Sequence, residues 1–433
     1  MGEDQPRLKR ELGVWHATGL GLGSIVGTGV FVSIGVATGI AGPAVLVALV
    51  LGAIVALCNG LSSAQLAASH PVSGGTYEYG YRYIGPLTGF TAGWLFLLAK
   101  SASAATAALG FSGYLLNAAG LVGHPALVPL ALGGLIVVMA LVLVGVRRSA
   151  QVNFVIVGFT LVALSAFVIG GLPTALSEGA ANLTPFFDAE EGRSPLTAVL
   201  HASALMFVAY TGYGRIATLG EEVVAPRRTI PRAIVLTLAI TLVLYVSVAW
   251  VGVAAVGSAT IGQATDEAAA PLEVAARAFS PTVARVVSIG AVTAMLGVLL
   301  NLILGLSRVL LAMGRRGDMP AAVARLSGPQ SKPYASVFVV TAIIAILVLT
   351  GDVRTTWSFS AMTVLLYYAV TNVAALRLPE SERRYPRWVA WAGLVSCIGL
   401  SVFIDPPILL VGVILIGAGI AWHYIAQRLQ RAS

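Results

Sequence analysis

The sequence predicts an all-α polytopic membrane protein of about twelve TM helices. Three observations carry that expectation. Of its 433 residues, 58% are hydrophobic and only 10% are charged, with mean hydropathy +0.90; a soluble chain of this length needs far more surface charge. Apolar runs of spanning length, roughly 20 residues, recur almost end to end. Those runs are continuous rather than alternating, so their backbone groups are satisfied within helices and not around a barrel.

Taken in order, the spans are expected near 14–41, 43–69, 87–116, 125–146, 151–172, 196–220, 231–257, 281–313, 335–350, 356–377, 387–404 and 407–427. The last two are separated on the strength of Asp405-Pro406-Pro407, a turn signal between apolar runs. The first run is too long for the apolar stretch of a cleavable signal and is followed by further spans. Orientation follows from the Lys/Arg bias. If the N-terminus is inside, 19 of the 26 basic residues fall on the inner side and four (Arg193, Arg277, Arg285, Arg354) on the outer. The remaining three, Lys100, Arg215 and Arg308, fall within predicted helices. A split this uneven predicts an inner (cell) membrane protein with both termini cytoplasmic, and accounts for the net charge of +8 without nucleic acid.

The charged and metal-binding residues exclude several functions. Cys58 and Cys397 lie in apolar runs with no disulfide or metal spacing, and the five histidines are scattered among segments. No nucleophile–base pair stands out, so neither an enzyme nor a metal site is expected, and no cofactor is called for. The acids are expected in loops or at helix ends, Glu273 in an outer loop among them, with none near the bilayer midplane. That weighs against an acid-based proton pump and against recognition of a cationic side chain by a buried carboxylate.

Two spans carry signs of interruption. Span 1 contains GLGLGSIVGTGVF, whose glycines fit no dinucleotide fingerprint and follow no strand. Gly19 to Gly23 suit either close helix packing or an irregular turn. Gly27-Thr28-Gly29 points to unwinding, because glycine tolerates nonhelical dihedrals. Span 6 carries Gly212 and Gly214 at similar depth. Interruptions at matching points of two halves are the sequence signature of a transporter site, and here they suggest two five-helix repeats of opposite orientation. An unwound helix presents N–H groups and the positive dipole end to a carboxylate, and carbonyls to an ammonium group. Two such breaks face to face would receive a zwitterion without a charged side chain.

The motifs resemble those of the amino acid–polyamine–organocation (APC) superfamily of amino acid permeases, including its bacterial members similar to cationic amino acid transporters. They are Gly27-Thr28-Gly29-Val30-Phe31; Pro71-Val72-Ser73-Gly74-Gly75-Thr76-Tyr77-Glu78-Tyr79 with Gly85, Gly89-Phe90 and Gly93-Trp94; Glu221-Glu222 through Pro231-Arg232-Ala233-Ile234; and Ser307-Arg308 with Ala312-Met313, Arg315, Gly317 and Pro320. The resemblance implies a 5+5 inverted repeat (LeuT-like/APC fold) plus two C-terminal helices. It divides the chain into a 1–13 N-terminal segment, a transport core over 14–377 (repeats 14–172 and 196–377), a helix pair over 387–427 and a tail over 428–433. It implies alternating access and an amino acid substrate. The substrate carboxylate would meet N–H groups of Gly27, Thr28 and Gly29; its ammonium would meet carbonyls around Ile25 and Val26 and along Phe207, Val208, Ala209, Tyr210 and Thr211. The substrate side chain would point toward spans 3, 6 and 10.

Some family members place a lysine in span 5 where others hold sodium between spans 1 and 8. Here Thr160 occupies the lysine's place, and Thr293 is the lone hydroxyl in the span 8 region. Neither a fixed lysine nor a full sodium site is evident, so a proton is favoured over sodium as coupling ion. Lys100, about mid-depth in span 3, costs roughly 2.5–3.5 kcal/mol to insert and is a functional candidate. It reads as a titrating coupling group, as a fixed charge replacing the missing cation, or as a snorkelling or paired structural residue. Tyr77, Arg215, Glu221 and Arg308 are candidate gating residues; interfacial charge and an aromatic belt are the plainer readings. Neutral amino acids are favoured over cationic ones. Exchange by the same fold, a non-transporting sensor and, more remotely, a channel remain alternatives. A protein partner is not specified.

Overall fold

The computed structural model describes residues 12–70, 74–121, 123–145, 150–217, 223–326 and 333–432. Pro71-Val72-Ser73, Glu221 and Glu222 lie outside them. The described residues are nearly all helical, with a lone Leu12–Val223 bridge as their only extended pairing. Among them, nine helical stretches are long and apolar enough to cross a membrane, and the first of these, Gly29–Ser69, holds two rods.

Span 1 is two pieces. Val14–Ile25 ends where Val26 turns extended (φ −77°, ψ 103°), and helix resumes beyond Thr28 as a wide π turn, Gly29–Ser33, continued by Ile34–Ala41. Span 2 is Val45–Ser69, span 3 Pro86–Ala118, span 4 Leu127–Val144 and span 5 Ala150–Asn182. Span 6 is Pro195–Tyr210, a tight 3-10 turn over Thr211–Tyr213, and a short continuation Gly214–Ala217. Spans 7 to 10 are Pro226–Val256, Pro281–Arg316, Tyr334–Thr350 and Val353–Leu376. Spans 11 and 12, Arg387–Ser401 and Pro406–Ala432, part at Asp405-Pro406, as the proline pair predicts. Both breaks fall at the glycines that mark them in the sequence.

The packing reveals the repeat that no letter-by-letter similarity announces. Span 1 packs on span 7, and span 6 on span 2; spans 3 and 10 pair as do spans 8 and 5; spans 5 and 7 pair as do spans 10 and 2. Spans 3 and 4 contact each other as spans 8 and 9 do. Each contact is the image of another when span n is exchanged with span n+5, as two inverted five-helix repeats require. Two short helices obey the same rule: Thr76–Tyr83 packs on spans 3 and 10, and Pro271–Phe279 on spans 8 and 5. Because the repeats are inverted, these two helices cap opposite faces of the bundle. Neither was expected from sequence, since both are too short and polar to register as spans. Glu273, expected in an outer loop, is instead 2% exposed on the second of them; its apolar neighbours Leu272, Ala275 and Ala276 carry it inward.

Candidate functional site

The two breaks touch. A side-chain carbon built on Gly212 would lie 2.4 Å from the Ser24 carbonyl oxygen, and one on Gly29 would lie 2.9 Å from the Ala209 side chain. Only glycine permits that approach of backbone to backbone. Span 8 closes the third side, with Val298 against Gly27. The stretches Ile25–Gly29 and Phe207–Thr211, on which the resemblance places the substrate, are therefore brought together, and all ten residues are buried.

The hydrogen bonds at the break differ from the simplest expectation. The Tyr245 hydroxyl of span 7 donates to the Ile25 carbonyl at 2.9 Å and reaches the Ala209 carbonyl at 3.5 Å, so it ties the broken ends together. Ile25 thus keeps one lone pair for a ligand rather than two. The Tyr368 hydroxyl of span 10 donates to the Thr211 carbonyl at 3.3 Å, and the Trp357 indole to the Leu205 carbonyl at 3.1 Å. The N–H groups of Val30 and Phe31 both converge on the Gly27 carbonyl at 3.1 Å. Thr28 Oγ1 and Tyr210 Oη are buried without a hydrogen-bond partner among the described residues.

Lys100 reaches this junction. Its ammonium donates to Thr211 Oγ1 at 3.3 Å, placing a half-buried cation on the span 6 break. Its helix face continues through Ser103, bonded to Ser360 at 2.7 Å, and Thr106, bonded to Thr356 at 2.8 Å. The walls of spans 3 and 10 beside Lys100 are thus lined with hydroxyl groups. Among the described residues Lys100 has no ion-pair partner. Thr160 and Thr293 donate their hydroxyls back to Ile156 at 2.7 Å and Ile289 at 2.8 Å on their own helices. No cluster of three His, Cys, Asp or Glu suited to a metal occurs among the described residues.

On the face where span 1 begins, Tyr77 is part of a latch. Its hydroxyl and that of Tyr81 both donate to Asp318, at 2.6 and 2.7 Å. Burial and this bond to Asp318 push the Tyr77 hydroxyl well above its usual range. Arg316 lies over both rings, 4.9 and 4.2 Å from their centroids, and bonds Glu78 at 2.9 Å. Span 12 closes over the group through the Trp422 indole, which donates to the Asp318 carbonyl at 2.9 Å. Asp318 sits in the Arg315–Pro320 stretch, where an acid just past a helix end reads as a solvated loop residue. Arg215 and Arg308 are exposed on their helices, while Glu221 is outside the described residues.

The opposite face is clamped by Glu190. Its carboxylate bonds Arg354 at 2.7 Å and Arg193 at 3.0 Å, Arg193 also pairs with Asp405, and the Glu190 N–H donates to the Ile40 carbonyl at 3.0 Å. The clamp thus joins the end of span 1 near Ile40 to the starts of spans 10 and 12. Hydrogen bonding from Arg354, reinforced by its charge, holds the Glu190 carboxyl below the usual range despite partial burial. A depressed folded value means that its stabilisation is present above the ordinary glutamate value, about 4.3, and is lost as pH falls through the folded value. The wild type should melt on the order of 1–2 °C above Glu190→Gln at neutral pH. That gap should close on acidification; a gap independent of pH would contradict the assignment.

This fold, with paired broken helices around a buried polar junction, is that of a multi-pass membrane transporter. The chain matches the amino acid permease family model over residues 12–431, and it belongs to that family. It is 38% identical over 425 residues to an uncharacterized transporter of Mycobacterium tuberculosis, covering 98% of this chain and 93% of that one. It is 28% identical to a branched-chain amino acid permease of Bacillus subtilis, covering 91% and 86% of the two chains. With cationic amino acid transporter 4 of Mus musculus it shares 28% identity, over 87% of this chain and 61% of that one. A crystal structure of an Eremococcus coleocola manganese transporter superposes over 99% of both chains with a TM-score of 0.63 at 14% identity, a likeness of fold alone.

Proposed function

We propose that this permease takes up neutral amino acids by alternating access, coupled to protons. The observation that carries the reading is the contact between the breaks with the Lys100 ammonium on Thr211. Peptide groups of Ile25–Gly29 and Phe207–Thr211 supply the zwitterion's partners, with dipole ends oriented for its carboxylate. Lys100 stands where the substrate side chain points, so its charge repels cationic side chains. It also supplies a coupling group: protonated from the acidic side, it donates to Thr211; deprotonated on the alkaline side, it accepts. Thr293 is the lone hydroxyl of the span 8 region, which favours a proton over sodium.

In this reading the basic face is cytoplasmic, with both termini inside the inner membrane. Residues 14–377 form the transport core, and the 387–427 pair braces it. Tyr77 is the inner gating residue, with Arg215, Glu221 and Arg308 as peripheral contributors. The protein is a carrier, not an enzyme, and needs no cofactor.

Proteoliposomes carrying the full chain test this. An inside-alkaline gradient should drive accumulation of leucine or valine but not arginine. Lys100→Met should flatten the pH dependence and lower gradient-driven uptake about tenfold, roughly the effect of 1.4 kcal/mol. Unchanged pH dependence in that variant refutes Lys100 coupling; arginine accumulation by the wild type refutes the neutral class.

A further inference from the structure

Where the chain leaves span 2, enters span 7 and approaches span 11, three segments close around a cavity of about 260 Å³. Its polar lining is Ser69, Arg227, Ser381, Glu382, Arg383 and Arg384. The walls are tied to one another. The Arg384 guanidinium donates to the Arg227 carbonyl, and the Arg384 and Tyr385 N–H groups donate to Gln65 Oε1 of span 2 at 3.3 and 3.4 Å. Arg383 donates to the Leu378 carbonyl at 2.7 Å, while its Nε is buried with no partner among the described residues. The lining carboxylate, Glu382, accepts from the Ser69 hydroxyl. Three arginines and one glutamate therefore line a space large enough for a phosphate group, and a second carboxylate, Glu380, lies 3.7 Å from the Arg383 guanidinium.

Depth points to the membrane surface. Trp388 and Trp391, on the first turns of span 11, are 66% and 54% exposed, as aromatic residues at a lipid–water interface are. Basic pockets between helices on the cytoplasmic side suit anionic headgroups, and guanidinium forks match phosphate oxygens two at a time.

We infer that this cavity is a phosphate-binding site that takes the phosphodiester headgroup of an anionic lipid and so ties spans 2 and 7 to the loop before span 11. An occupant there favours the arrangement in which these three segments stay together, which makes the lipid a modulator of transport rather than a substrate. The site is remote from the helix breaks and independent of what they carry.

The test uses the full-length protein in phosphatidylcholine vesicles with and without phosphatidylglycerol, and in detergent with inorganic phosphate alone. Melting temperature and lipid retention in native mass spectra are the readouts. Phosphatidylglycerol should raise the melting temperature of wild type and of the exposed-charge control Arg325→Gln. The Arg227→Gln/Arg384→Gln double variant should lose the rise, with affinity falling about five-fold per arginine. Should the double variant fail to fold, Glu382→Gln serves instead, with an expected gain of about five-fold. A matching rise with inorganic phosphate, lost in the double variant, supports the site and assigns it to soluble phosphate. No rise with either probe overturns the proposal, as does an equal loss in Arg325→Gln, which would mark a diffuse charge effect.

Discussion

Gly212→Ala should cost this transporter about 10- to 100-fold in substrate affinity. The added carbon would sit 2.4 Å from the Ser24 carbonyl oxygen and 2.6 Å from Ile25 Cγ1. The first obstacle is main chain, which cannot swing aside as a side-chain tip does. The breaks in spans 1 and 6 would have to part, and overpacking of this kind costs about 1–3 kcal/mol. Separation displaces the peptide groups expected to bracket the zwitterion, and it stretches the Tyr245 bridge between Ile25 and Ala209. Gly305→Ala is the matched control: nothing lies within 4 Å of its added carbon, and alanine is the better helix former. It should bind substrate like the wild type and melt no lower. Calorimetric titration with the best-accumulated amino acid makes the comparison. Equal affinities in the two variants would detach the substrate from the contact between the breaks.

Much of this architecture was legible because its causes are local. Gly27, Gly29 and Gly212 mark the breaks because a side-chain carbon at any of them would meet a neighbouring span within 3 Å, and Asp405-Pro406-Pro407 divides the last two spans as a local turn signal. Lys100 announced itself as a charge in an apolar run. Its contact with Thr211 did not, because that depends on how closely spans 3 and 6 approach. Tyr245 was silent too: one hydroxyl in a long apolar helix carries no local signal, yet it takes part of the Ile25 carbonyl that the resemblance offered to the substrate. Glu273 was placed in a loop because a short helix of nine residues, Pro271–Phe279, gives no spanning run to detect. The inverted repeat sits between these cases. Its breaks can be read along the chain, but its proof is the exchange symmetry of contacts, which exists only in three dimensions.

That symmetry gives Asp318 its weight. Thr76–Tyr83 and Pro271–Phe279 are counterparts on opposite faces, so the bonds holding the first in place lie on the basic face alone. Asp318, 6% exposed, accepts both the Tyr77 and Tyr81 hydroxyls. In Asp318→Ala both phenols lose their acceptor in a site too enclosed for easy hydration, at about 1–3 kcal/mol each. The Arg316 stacking over both rings loses its fixed platform as well. The closed arrangement of that face should weaken by at least about 2 kcal/mol, which corresponds to a roughly 30-fold shift in population. Asp318→Asn, which keeps an acceptor for one phenol, should fall between the variant and the wild type. Ser103→Cys, placed between spans 3 and 10 in a Cys58→Ser/Cys397→Ser background, reports the change. An impermeant maleimide added from the basic face should label it faster in Asp318→Ala by about that factor, while labelling from the other face slows. If rates from both faces stay at wild-type values, the tyrosine–aspartate cluster holds the short helix without gating the path, and the gate has to be sought at another contact of that helix with spans 3 and 10.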